Sequence, residues 1–162
     1  MKMKPIHTLF ILYLMSLFYV LFLYNRTFDL SWIAKGGFPE LIKQQSDHVN
    51  LILFNTIFRY LQTMNYATGM RNIIVNIGGH MLLLTPFGFF LPRLNKRFQN
   101  LVFFIFITVL IMLLIEGLQF ISMSGSFDVD DALLNVIGAV IGFIFLRNPE
   151  NLERTTHDGE IS

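Results

Sequence analysis

Polar side chains recur in pairs, three or four positions apart, inside otherwise apolar stretches of the chain. The pairs are Asn76 and His80, Glu116 and Gln119, and Asp131 and Asn135. Side chains at this spacing share one face of an α-helix. Because ionisable and amide groups are costly in hydrocarbon unless they bind one another or a ligand, we interpret these residues and Asp128 as candidate ligand-binding residues.

Two of the carboxylates could transfer protons. Glu116 or Asp131 would act as a general base, and the amide side chains would orient the head group of a substrate. Simpler roles are open for the same residues. Asp130 and Asp131 can cap a helix, the asparagines can join helices by hydrogen bonds, and His80 can be a packing residue.

A metal site is a weaker interpretation of the same cluster. It would use Glu116, His80, Asp128, Asp130 and Asp131, which follow no metal-binding spacing, and Asp-Val-Asp-Asp is too short for a calcium loop. The sequence has no cysteine, so thiolate ligands and cysteine nucleophiles are excluded. We therefore predict neither a metal nor another cofactor.

The composition indicates an integral membrane protein. Of the 162 residues, 54% are hydrophobic and 14% are charged, whereas soluble domains carry about 25% charged residues. A net charge of +1 without a lysine and arginine stripe argues against nucleic-acid binding.

Four apolar segments are predicted to cross the bilayer, which requires about 20 helical residues each. They are 6–24, 72–91, 101–122 and 131–146. The predicted fold is all-α, an integral membrane bundle of four transmembrane helices. Along the chain we expect the first helix (1–24), an external loop (25–71), a core of three helices (72–146) and a polar tail (147–162).

The external loop has an apolar pattern of its own. Within segment 48–64, apolar side chains recur at helical spacing from Phe54 to Met64. The segment is too short and too polar to span a bilayer, so we predict an interfacial or re-entrant helix on the outer face between the first and second spans.

Lysine and arginine placement predicts the orientation. Basic residues precede the first predicted span, separate the second from the third, and follow the fourth, whereas loop 123–130 has none. The positive-inside rule then puts both termini in the cytoplasm. On this topology the polar pairs lie in the outer half of the bilayer, and we predict a polar pocket that opens to the outside.

The fourth predicted span carries a packing signal. Gly138 and Gly142 form a G-x-x-x-G pattern, which lets two helix backbones approach closely. Ordinary helix packing explains the pattern, and a homo-oligomer through this helix is a further expectation.

Several stretches together resemble the VanZ-like membrane proteins. They are the run from Asn76 to Pro92, the segment Glu116-Gly-Leu-Gln119, the run from Ser126 to Gly138, and segment 49–57 as an upstream motif. The chain departs from the family pattern at His80, where a second asparagine is common, at Ser126, where an arginine is common, and at Leu53, where a proline is usual.

The resemblance implies a function as well as a fold. It implies a bacterial cytoplasmic membrane protein that modulates sensitivity to glycopeptide or lipoglycopeptide antibiotics such as teicoplanin, which has an acyl chain and acts at the outer membrane surface. The partner would be a membrane lipid, a lipid-linked envelope precursor or an amphiphilic antibiotic. Two alternatives stay open: an enzyme acting on a lipid-linked envelope precursor, and a structural assembly subunit.

Overall fold

The structure, a computed structural model, is mostly helical and describes residues 4–24, 26–62, 70, 71 and 73–145. The α-helices described are α1 (Pro5–Phe18), α2 (Trp32–Lys35), α3 (Phe38–Gln45), α4 (Asn55–Gln62), α5 (Gly79–Leu94), α6 (Leu101–Ile121) and α7 (Val129–Phe145). A π-helical turn, Tyr19–Leu23, extends α1, and another, Ile74–Gly78, leads into α5. Short 3₁₀ turns occupy Ser46–His48 and Lys96–Gln99, and the strands are β1 (Val49–Asn50) and β2 (Phe127–Asp128). The predicted tail, 147–162, lies outside the described residues.

Three helical segments within the described ranges are long and apolar enough to cross a membrane: Pro5–Leu23, Ile74–Leu94 and Leu101–Ile121. They agree with the all-α class and with the first three predicted spans. Helix α7 has 17 residues, about 26 Å at 1.5 Å per residue, and the description stops at its last residue. The fourth span and the four-helix bundle therefore stay predictions.

The buried core lies where α1, α5, α6 and α7 meet. Phe104 of α6 is fully buried, and its ring centroid lies 5.0 Å from that of Phe143 in α7. Leu84 of α5 is fully buried in the same cluster, to which α1 contributes Leu17 and Leu21. This apolar packing sets the relative positions of the helices that carry the polar residues.

Small residues bring α5 and α7 into direct backbone contact. A Cβ atom on Gly138 would overlap the carbonyl oxygen of Met81, and one on Gly142 would overlap that of Thr85. Gly88 lies against the backbone of α7 in the same way. The close approach expected from G-x-x-x-G is thus made within the chain, so a homo-oligomer through α7 would need another face and stays a prediction.

The loop after α1, which the sequence predicts to be external and which we call the outer loop, covers the C-terminal end of α6. The last carbonyl groups of a helix have no partner inside the helix. The indole nitrogen of Trp32 donates to the carbonyl oxygen of Ile121 at 3.0 Å, and the amide nitrogen of Gln45 donates to that of Phe120 at 3.2 Å. These bonds hold α2 and α3, which the sequence did not predict, over the end of α6.

The outer loop also reaches the start of α7. Strands β1 and β2 pair in parallel, with Val49 opposite Phe127 and Asn50 opposite Asp128. The predicted helix over 48–64 is therefore shorter: α4 begins at Asn55, because the residues before it form β1 and a turn. Residues 63 and 64 of that prediction lie outside the described residues.

Candidate functional site

Asp128 forms the N-cap of α7 and fastens the outer loop to it. Its Oδ1 accepts the backbone N–H of Asp130 at 2.8 Å and the amide of Asn50 at 2.9 Å, while Oδ2 accepts the hydroxyl of Thr56 at 2.6 Å. The side chain is buried. Both oxygens are used within the protein, so Asp128 positions its neighbours, and its interpretation as ligand-binding stays a prediction.

Asp130 caps a different helix from the one the sequence suggested. Its Oδ1 accepts the N–H of Phe54 at 2.5 Å, and its Oδ2 accepts those of Thr56 at 2.8 Å and Ile57 at 3.4 Å. The carboxylate therefore caps α4 from across the site, whereas Asp128 takes the capping role at α7. Phe54 has a φ of 67°, a conformation that non-glycine residues adopt only where the surroundings hold it.

Glu116 lies beneath this junction. Its side chain is 4% exposed, and Oε2 accepts the backbone N–H of Asp128 at 3.2 Å. The bond ties α6 to the segment that starts α7. Burial leaves Glu116 with much less access to an outside substrate than Asp131 has.

His80 of α5 contacts both Asp131 and Asn135 of α7. The Nε2 atom of His80 lies 3.5 Å from Oδ1 of Asp131, and Nδ1 lies 3.3 Å from the amide nitrogen of Asn135. The side chains of His80 and Asp131 are 22% and 23% exposed. These residues are the sequence candidates that the structure brings together in an accessible place.

The amide oxygen of Asn135 has no hydrogen-bond partner among the described residues, although the residue is 2% exposed. When Asp131 is ionised, Nε2 of His80 donates to it and Nδ1 accepts from the amide nitrogen of Asn135. This tautomer leaves Oδ1 of Asn135 as the unpartnered atom. A buried acceptor without a partner costs about 1–3 kcal/mol, which a bound ligand would offset.

The remaining two candidates lie in different places. Asn76 is half-buried in the π-helical turn before α5, four positions before His80. Gln119 is 4% exposed, and its amide nitrogen donates to the carbonyl oxygen of Leu21 at 2.8 Å, which joins α6 to the π-helical turn after α1. Its interpretation as a ligand-binding residue stays a prediction. The π-helical turn at the end of α1 supplies this free carbonyl group, which the sequence pattern does not reveal.

Several residues that complete the site were not among the candidates. One feature of the sequence pointed to Asn50 and Thr56 as site residues: they belong to the segment that is similar to the family's upstream motif. Burial, and then the negative charges of Asp131 and Asp128, raise the pKa of the Tyr60 phenol. Tyr60 therefore lies within electrostatic reach of the site.

Arg26 brings a positive charge to the loop between α6 and β2. Its Nη1 donates to the carbonyl oxygen of Ser124 at 2.8 Å, and its guanidinium packs against Gly125. Nothing in the local sequence around Arg26 indicates this contact.

The described parts of the chain contain no group of three or more histidine, cysteine, aspartate or glutamate side chains placed to hold a metal ion. Two carboxylates of the cluster, Asp128 and Asp130, are instead used by backbone and side-chain donors of the outer loop. The cluster can accept hydrogen bonds and attract positive charge.

Comparison with known proteins gives one match. The family model described as VanZ/LLP1 matches residues 10–149. The matched range contains the outer loop, the polar cluster and helices α5 to α7. No curated protein and no solved structure matches the chain.

Proposed function

Because the chain belongs to the VanZ/LLP1 family, we propose that this VanZ-like membrane protein modulates sensitivity to glycopeptide or lipoglycopeptide antibiotics in a bacterial cytoplasmic membrane. It acts through the polar residues between α5 and α7: His80, Asp131 and Asn135, with Asn76 nearby. Its partner is a membrane lipid, a lipid-linked envelope precursor or the antibiotic itself.

The accessible pair of His80 and Asp131 carries the proposal. Both side chains keep about a fifth of their surface exposed, at 22% and 23%, while Glu116, Asp128 and Asp130 are buried around them. Ionisable groups that border hydrocarbon are costly unless they serve a purpose. In the orientation that the lysine and arginine placement favours, this pair faces the side on which teicoplanin acts.

The outer segments are suited to a position at the membrane surface. Leu51, Ile52 and Phe58 are 68%, 69% and 61% exposed. Apolar side chains in this number favour contact with the acyl and head-group boundary. They support the proposal that α4 lies in the outer interface, where it would meet an amphiphile on its way to His80 and Asp131.

Susceptibility of the natural host tests the function. The gene is deleted, the strain is complemented with the wild type or with Asp131→Asn, and the minimal inhibitory concentration of teicoplanin is compared with that of a glycopeptide without an acyl chain. We expect deletion to change teicoplanin susceptibility, and we expect the wild type but not Asp131→Asn to reverse the change. Thr108→Val, a buried change in α6 away from the site, is the matched control and should complement fully. Unchanged susceptibility on deletion and on overexpression contradicts the proposal.

The same pair supports a second candidate, an enzyme acting on a lipid-linked envelope precursor. Asp131 would be the general base and His80 its partner, since a carboxylate beside an imidazole with partial access is a common acid–base arrangement. Turnover of a lipid-linked precursor by the purified protein would fall about 10²- to 10⁴-fold in Asp131→Asn. Full activity in a normally folded Glu116→Gln protein would exclude Glu116 as the base.

A further inference from the structure

Hydrogen-bond acceptors dominate the outer polar cluster. Glu116, Asp128, Asp130 and Asp131 contribute four carboxyl groups, and no lysine or arginine nitrogen of the described residues lies within 4.0 Å of them. Arg26 comes near but donates to the carbonyl oxygen of Ser124. Within the described part of the chain, the only ion-pair partner of these carboxyl groups is His80, beside Asp131, so the cluster holds more acceptors than cations.

Asn135 supplies an independent sign of a missing partner. Its Oδ1 is buried without a hydrogen bond among the described residues, in a side chain that is 2% exposed. Asp131 lies one helical turn away, on the same face of α7. The unpartnered acceptor and the partly accessible carboxylate therefore lie on the same face of α7.

We propose that this site binds the primary ammonium group of an outer-leaflet amphiphile. Asp131 supplies the opposite charge, and Oδ1 of Asn135 accepts one N–H. An ammonium group has three donors and no acceptor, which matches what the site lacks. The inference rests on the proposed function for the location of the site and adds the chemical class of its ligand.

Anionic groups fit the site poorly. A phosphate or carboxylate would meet Asp131 and the other carboxyl groups with like charge. The guanidinium of Arg26, the nearby cation, is held by the carbonyl oxygen of Ser124. A head group with an exposed amine is thus favoured over one with an exposed phosphate.

Binding of small amphiphiles to the purified full-length protein in phosphatidylcholine nanodiscs tests this ligand class. The probes are dodecylammonium, dodecyltrimethylammonium, which has the charge without N–H donors, and dodecyl phosphate. We expect dodecylammonium to bind about tenfold more tightly than the other two, the difference expected for a hydrogen bond to a charged group. Calcium chloride and magnesium chloride alone are added in a separate arm.

Variants of Asn135 link the binding to the proposed atoms. Asn135→Leu removes the acceptor and should weaken dodecylammonium binding about tenfold, whereas Asn135→Asp keeps an acceptor and should retain binding even if Asn135→Leu fails to fold. Thr108→Val should bind as the wild type does. Equal binding of the three probes, undiminished binding to a folded Asn135→Leu, or displacement of the ammonium by the metal ions alone would overturn the inference.

The source of the amine is identified by competition. Phosphatidylethanolamine in the nanodiscs should displace dodecylammonium if the ligand is a lipid, and added teicoplanin should do so if it is the antibiotic. Failure of the proposed ligand class can be distinguished from failure of the proposed function. Ammonium binding in a protein whose deletion leaves susceptibility unchanged would reject the antibiotic role alone, and a susceptibility change without ammonium binding would reject the ligand class alone.

Discussion

At the scale of single residues, Asp130 determines where the outer helix begins. It is fully buried and accepts three backbone N–H groups, from Phe54, Thr56 and Ile57. The first N–H groups of a helix have no internal partner. Without this carboxylate, they and the left-handed turn at Phe54 would be left without support.

Asp130→Asn should loosen the outer loop and lower the stability of the protein. The asparagine side chain keeps one acceptor oxygen, but its amide nitrogen would face backbone N–H groups. We therefore expect the free energy of unfolding to fall by about 1–3 kcal/mol. Hydrogen exchange of residues 54–57 and unfolding in mixed micelles measure the effect. Asp47→Asn, in an exposed 3₁₀ turn, is the control. Unchanged exchange rates at 54–57 would contradict the capping role.

Tyr60 should titrate later than an ordinary tyrosine. Burial, followed by the charges of Asp131 and Asp128, raises its pKa above 10.0. The neutral phenol is thus favoured in the folded protein, so the associated stability is present below pH 10 and is lost as the pH rises through the folded pKa. The difference in phenolate absorbance between wild type and Tyr60→Phe isolates this group, and Asp131→Asn should lower its pKa. Titration of Tyr60 below pH 10 would refute the arrangement.

At the scale of elements, the contact of α5 with α7 holds His80 against Asp131 and Asn135. Gly138 and Gly142 make this contact possible because their backbones touch the carbonyl groups of Met81 and Thr85. Any side chain at either glycine would push the two helices apart. The site therefore depends on residues that take no part in its chemistry.

Gly138→Ala should destabilise the protein, because the added methyl group overlaps the backbone of α5. Overpacking of this kind costs about 1–3 kcal/mol. Gly117→Ala is the matched control, since nothing lies within 4 Å of a Cβ atom there, and it should be neutral or stabilising by about 0.5–1 kcal/mol. Thermal unfolding in detergent compares the two variants. Equal melting temperatures would be inconsistent with the close helix contact.

The sequence predicted the helices better than it predicted the contacts between them. Apolar length located α1, α5 and α6, and helical spacing correctly grouped Asp131 with Asn135. It could not show that Gln119 turns to α1, because the free carbonyl of Leu21 arises only from a π-helical turn. In the same way, Asp130 looked like a cap for α7, because sequence spacing carries no information about a helix 70 or more positions away.

The parallel pairing of β1 and β2 could not be predicted from the periodicity of apolar residues. Each strand has two residues, which is too short for a period-two pattern to be recognised. The family resemblance nevertheless contained the relevant residues, since segments 49–57 and 126–138 both carry motifs. The structure explains why both motifs are present, because Asn50 and Thr56 of segment 49–57 donate hydrogen bonds to Asp128 of segment 126–138.

At the scale of the whole molecule, charge placement predicts the orientation in the membrane, and labelling tests it. The absence of cysteine makes single-cysteine labelling clean. In intact cells, an impermeant maleimide should label Asp47→Cys in the outer loop and leave Lys96→Cys unlabelled until the cells are permeabilised. Both positions are exposed, so access depends on the side of the membrane. The reverse pattern would invert the topology and put the polar site on the cytoplasmic side.

The pairing of β1 with β2 also sets an order for biosynthesis. Asn50 binds Asp128 across 78 positions of the chain, so the ribosome must deliver α5 and α6 to the membrane before the partner of the outer loop exists. Throughout that interval the start of α4 has no anchor, because Asp130 has not yet been synthesised. A nascent chain that stalls before residue 127 would therefore present the exposed apolar residues 51–54 without the carboxylates that hold this loop in place.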